Sequence, residues 1–144
     1  MAALMRRAAV FVLVLGFAVL GCQKTASERL LGKWHGTKAD GVVSDVQVSA
    51  NDAARSMELE FKKDVVTIRP AKDKDPLTAR YFVLREDRCS VVVVTEKYGA
   101  RDEQTITLDS DDVMRWQVLQ GKTITFERVA EPKDKKTAAK SSAP

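Results

Sequence analysis

From residue 30 to residue 130 the apolar residues recur at every second position in short runs, and polar turn-forming clusters interrupt them every eight to twelve residues or so. A period of two sends alternate side chains to opposite faces of an extended chain, so each run reads as a strand with one buried face. Met57, Leu59 and Phe61 alternate with Glu58, Glu60 and Lys62; after Lys63-Asp64 the run from Val65 to Arg69 returns as a hairpin partner. Lys72-Asp73-Lys74-Asp75-Pro76 breaks the pattern, because proline cannot donate to a ladder, and the next strand is Thr78 to Arg85. Beyond Glu86-Asp87-Arg88, Ser90 to Thr95 is apolar on both faces; Tyr98-Gly99-Ala100 turns the chain, and Gln104 to Leu108 alternates again. After Asp109-Ser110-Asp111-Asp112, Met114, Trp116 and Val118 share one face. Gly121 turns the chain into the last strand, where Ile124, Phe126 and Arg128 share a face. With an opening strand at Leu31 to Gly36 the count is about eight.

The stretch from Lys38 to Arg55 is the exception. Asp45-Val46-Gln47-Val48 has the pattern of a short strand, whereas Ser49 or Asn51 suits the cap of a short helix through Ala53, Ala54 and Arg55; the helix is the preferred reading. Consecutive short antiparallel strands leave two unpaired edges unless the sheet closes on itself. The expected fold is therefore all-β: a small up-and-down antiparallel barrel with one short helix after the first strand. The interior of such a barrel is filled by its own side chains or holds one small ligand. Met57, Leu59, Phe61, Tyr81, Val83, Met114 and Trp116 are the candidate lining residues, equally suited to a cavity and to a plain core.

The two ends of this body carry a resemblance. Leu31-Gly32-Lys33-Trp34 resembles the Gly-x-Trp motif that opens the first strand of lipocalins and their small bacterial relatives, and Phe126-Glu127-Arg128 resembles their arginine-bearing last strand. The resemblance implies that Arg128 packs over Trp34 and closes one end of the barrel, and that a small apolar or amphipathic ligand is bound. A guanidinium over an indole gains up to about 2 kcal/mol when desolvated.

The beginning of the chain has the order of a secretory signal: basic Arg6 and Arg7, an apolar stretch from Ala8 to Leu20, and a small residue, Gly21. That stretch is shorter than the roughly 20 residues an ordinary membrane span needs. Its ending, Val19-Leu20-Gly21-Cys22, resembles the lipobox of bacterial lipoproteins, which implies cleavage after residue 21 and a lipid on Cys22. The expected organisation is a signal peptide over 1–21, a polar lipidated tether over 22–29, the barrel over 30–130 and a disordered charged tail over 131–144. Gln23 follows the cysteine where an aspartate, by resemblance to other bacterial lipoproteins, would retain the protein at the inner membrane. The expected location is the cell envelope, at the outer membrane facing the periplasm. Cys89 is the only other cysteine, and its place beside a valine run suggests a small buried hydrophobe.

Net charge is +4, but Arg6 and Arg7 account for two charges and the tail, with Lys133, Lys135, Lys136 and Lys140 against Glu131 and Asp134, for two more. The body is neutral, so no nucleic-acid partner is expected. His35 is the only histidine and adjoins Trp34 on a strand, hence on the opposite face, facing solvent or the rim. Neither a catalytic constellation nor a metal ligand set is available around it, and the aspartates at 109, 111 and 112 and at 73 and 75 read as solvated turns. No enzyme activity and no cofactor are expected. Two functions fit: an anchored binding module for a small apolar ligand, or an envelope component of structural or inhibitor type that contacts another protein with a filled barrel. Replacing Cys22→Ser should leave the domain folded but move it from the membrane to the soluble fraction, or leave it unprocessed; cell fractionation with immunodetection distinguishes these outcomes from an unchanged mature membrane form.

Overall fold

The alternation closes into a ring. The computed structural model describes residues 23–97 and 99–131 and contains eight antiparallel strands in which each pairs with the next and the last returns to the first. They are β1 (Gly32–Asp40), β2 (Glu58–Phe61), β3 (Val65–Arg69), β4 (Leu77–Glu86), β5 (Ser90–Lys97), β6 (Ala100–Leu108), β7 (Val113–Leu119) and β8 (Lys122–Arg128). The signal segment, Cys22 and residues 132–144 lie outside the described residues. Among the described residues no helix is long and apolar enough to cross a membrane.

Directly paired residues share a face, so the ladders identify what points inward. Leu108, Met114, Phe126 and Gly36 form one inward row, and Val91, Ile106, Trp116, Ile124 and Ala39 another. The core gathers Trp34, Leu59, Phe61, Tyr81, Met114, Trp116 and Phe126 around these rows, with Met57 packed against it half-buried. Six of the seven expected lining residues therefore lie in or against the core. Val83 departs from that expectation: it pairs with buried Val93 but is 37% exposed and lies outside the core. The cause is a bulge that inserts Leu84 between Val83 and Arg85, which bends the strand locally.

Of the two α-helices, only the one after β1 is expected from the sequence, and that with different bounds. The connection from β1 to β2 contains a 3-10 turn, Ser44–Val46, and α2 (Gln47–Ser56), so the helix starts before Ser49 and neither Ser49 nor Asn51 caps it. Asn51 has another task. The pairing of β1 with β2 covers only Gly32 to His35, because β2 is short, and the rest of that edge of β1 needs other partners. Asn51 Oδ1 accepts the Ala39 N–H at 3.0 Å, Gln47 Nε2 donates to the Ala39 carbonyl at 2.6 Å, and the Gly36 N–H donates to the Met57 carbonyl at 2.9 Å. The helix thus completes the sheet edge with its side chains and its exit.

The second helix replaces the expected tether. α1 (Ala26–Leu30) carries a capping box, with Thr25 Oγ1 accepting the Glu28 N–H and Glu28 Oε2 accepting the Thr25 N–H. Ala26 and Leu30 are buried in the barrel end. The expectation failed because a five-residue helix is too short to show a period and is held by tertiary contacts.

Cys89 corrects another expectation, since it is exposed in the turn between β4 and β5. Asp87 shapes this turn: its carboxylate accepts the backbone N–H groups of Cys89 and Ser90 and the Ser90 hydroxyl, all at 2.8 Å. The Cys89 N–H contact, followed by the two from Ser90, holds the Asp87 carboxyl below its ordinary pKa. A carboxylate with a depressed folded pKa contributes stability above its unfolded pKa and loses it as pH falls through the folded value. Asp87→Asn should therefore flatten the loss of stability below about pH 4, read from urea midpoints across acidic pH. Gly36 tolerates less change, because a Cβ there would fall on the Ala54 carbonyl oxygen of α2. Gly36→Ala should cost about 3 kcal/mol, measured by urea unfolding, through separation of α2 from β1.

Candidate functional site

The two ends of the barrel differ in chemistry, and one of them is sealed by a single cation. Trp34, fully buried at the start of β1, donates its indole N–H to the Leu30 carbonyl at 2.8 Å. Arg128, paired with Trp34 across the β1–β8 ladder, lies over the indole with its guanidinium carbon 4.2 Å from the ring centroid. Its Nη1 donates to the Leu31 carbonyl at 2.7 Å, its Nη2 to the Arg29 carbonyl, and its Nε to the Asp111 carbonyl at 2.8 Å. A helix end leaves carbonyls without intrahelical partners, and here those of residues 29, 30 and 31 are taken by Arg128, Trp34 and Arg128 in turn. The expected Trp34 and Arg128 pair is thus in contact and at the barrel end.

Gly32 belongs to the same arrangement. Its φ is +122°, and a Cβ would lie 2.8 Å from Arg128 Nη1. The spacing of glycine and tryptophan follows from this: the glycine makes room for the guanidinium that covers the indole two residues on.

The acidic turn between β6 and β7 completes the seal. Asp111 pairs with Arg29 at 2.7 Å, Asp112 with Arg128 at 3.6 Å, and Asp109 with Arg115 at 2.7 Å. The aspartates read from the sequence as a solvated turn are therefore a set of arginine partners. These aspartates are separated from their arginines by up to 82 positions, which left no local signal.

At the opposite end the inward rows open. The row Trp34, Leu59, Ile68, Leu77 runs from full burial through half-burial to 48% exposure. The row Tyr81, Thr95, Asp102 runs from buried through half-buried to exposed, and the row Val93, Gln104 from buried to half-buried. Gln104 Nε2 donates to Asp102 Oδ2 at 3.0 Å, so the β5–β6 side of this mouth has a polar lip above an apolar floor. Trp116 sits at that floor, 8% exposed and tilted against Phe126. Its indole N–H is buried and has no hydrogen-bond partner among the described residues. A buried donor left unpaired costs about 1–3 kcal/mol.

Other expected positions lie elsewhere. His35 is half-buried on the outer face, between Glu58 and Glu127 in the ladders. Near it an open groove of about 210 Å³ runs along the outside of β1 to β3, where Arg69 and Glu58 neutralise each other at 3.1 Å. Tyr81 packs edge-on against Phe61 and donates its hydroxyl to the Lys62 carbonyl at 2.6 Å, which fastens the β2–β3 hairpin. Burial, and then the charge of Asp64, push the Tyr81 phenol above its ordinary pKa.

No protein-family model matches the chain, and no curated protein matches it. Arg128→Lys should destabilise the domain by about 3 kcal/mol in urea, because an ammonium cannot reproduce the three-way fork over the ring. The same variant should also expose Trp34, read as a red shift of its emission.

Proposed function

We propose that this chain is a membrane-anchored lipocalin-like protein that binds a small apolar or amphipathic ligand at the open end of its barrel, in the cell envelope. The observation that carries the reading is the gradient along the inward rows: sealed and apolar at the Arg128 end, progressively exposed and lipped by Thr95, Gln104 and Asp102 at the other. An apolar floor below polar groups matches a ligand with an apolar body and a polar head. The unpartnered indole N–H of Trp116 supports the same reading, because an acceptor on the ligand would relieve it. The Gly32, Trp34 and Arg128 lock supports the lipocalin likeness, and the lipobox-like ending at Cys22 supports the anchor. The reading assigns the protein no catalytic step.

A second reading has its own observation. On the outer face of β4 and β5, Phe82 and Leu84 are 41% and 46% exposed, and Arg101 lies 5.8 Å from the Phe82 ring. Aromatic and arginine side chains together are typical of protein contact surfaces, which favours an envelope interaction component with a filled barrel.

Native mass spectrometry of the mature protein separates the two. A small co-purifying molecule, or saturable uptake of a fluorescent fatty-acid probe, is the expected result, and Trp116→Phe should weaken that uptake about fivefold, the equivalent of one net hydrogen bond to the probe's polar head. A barrel that is empty in every preparation and takes up no probe sinks the ligand reading and leaves the contact surface.

A further inference from the structure

We infer that the sealed end of the barrel rests against the lipid surface and the open mouth points away from it. This rests on the proposed lipid at Cys22 and goes beyond it, because a lipid on a flexible tether would fix no orientation. The residues after the cysteine are not a tether. Gln23 Oε1 accepts from Arg88 Nη2 at 3.3 Å, Thr25 closes the capping box of α1, and the Ser27 N–H donates to Glu86 Oε2 at 2.9 Å. Arg29 holds both Asp111 and the Arg88 carbonyl, and Arg128 grips the far end of the helix. Every partner in this set belongs to the sealed end. Three peptide links join Cys22 to Thr25, and at no more than about 3.6 Å each they keep the anchored residue within about 11 Å of that seat.

The mouth lies at the other pole. The seven residues of β8, rising about 3.3 Å each and tilted about 40° to the barrel axis, separate the two poles by on the order of 15–20 Å. A ligand would therefore enter from the aqueous side or from a partner there, not directly from the bilayer that holds the anchor.

The chain supplies one probe site for a test. Cys89 is exposed in the β4–β5 turn at the sealed end, where its carbonyl accepts the Leu108 N–H, and exposed Gln120 sits in the β7–β8 turn at the mouth. The mature lipidated protein is labelled with a fluorophore at Cys89, or at Gln120→Cys in a Cys89→Ser background, and incorporated into phosphatidylcholine vesicles carrying a headgroup-level quencher. Quenching several-fold stronger at residue 89 than at residue 120 is expected. Equal or stronger quenching at residue 120 in protein whose mass includes the lipid overturns the orientation and leaves the anchor standing. A purified chain whose mass lacks the lipid overturns the anchor reading, and the orientation with it.

Discussion

The guanidinium of Arg128 is the point on which the rest of the molecule converges. It comes from the last strand, covers the tryptophan of the first, takes two carbonyls at the end of α1 and a third from the β6–β7 turn. Taking a cation partly out of water is costly unless its donors are satisfied, and around the half-buried Arg128 three carbonyls and an aromatic face replace the lost water. One side chain thereby ties the first and last strands, α1 and one hairpin to a single pole. Gly32 is glycine because the cation needs its space. The aspartates of the turn are acidic because three arginines come to them.

That lock makes the barrel asymmetric. At the sealed pole Trp34, Met114 and Phe126 are fully buried and α1 stops the end. At the open pole the strands carry on past their neighbours: β1 outruns β2, so α2 supplies Asn51 and Gln47 to the bare edge, and the inward rows finish in half-buried and exposed residues. A filled half gives the small domain its stability, since burial of about a dozen large apolar side chains must offset the ordering of the whole chain. The other half is then free to differ. Its polar lip and its orphaned indole N–H are features a mere core would not retain without cost.

The short body also bears on how such a protein would sit in an envelope. Its N-terminal helix is clamped to the sealed pole, so the proposed anchor a few residues earlier would act on the whole barrel as a rigid object. On the proposed reading, binding geometry and membrane geometry would both be set by the same few contacts around Arg128, Arg29 and Glu86.

Much of this could be read from the letters. Alternation such as Met57, Leu59, Phe61 determines which face of a strand is buried, and the turn clusters determine where strands end; both are local, and together they specified eight antiparallel strands and closure of the sheet. The Gly32, Trp34 and Arg128 pattern, by resemblance, pointed to the contact at the sealed pole. The rest depended on residues brought together from far apart. Five residues of helix show no period, so α1 was legible only once Arg128, Asp111 and Glu86 had assembled around it. Val83 alternates correctly in sequence, and only the bulge at Leu84 took it out of the core. Asn51 suited a helix cap, but the bare edge of β1 offered it a backbone N–H that no local pattern records. The sequence by itself determined the strands and the face each one buries, because those follow from a period of two along the backbone. Only the tertiary structure decided which pole is sealed, which is open and where the chain enters, because those depend on hydrogen bonds and charges spanning up to 99 positions.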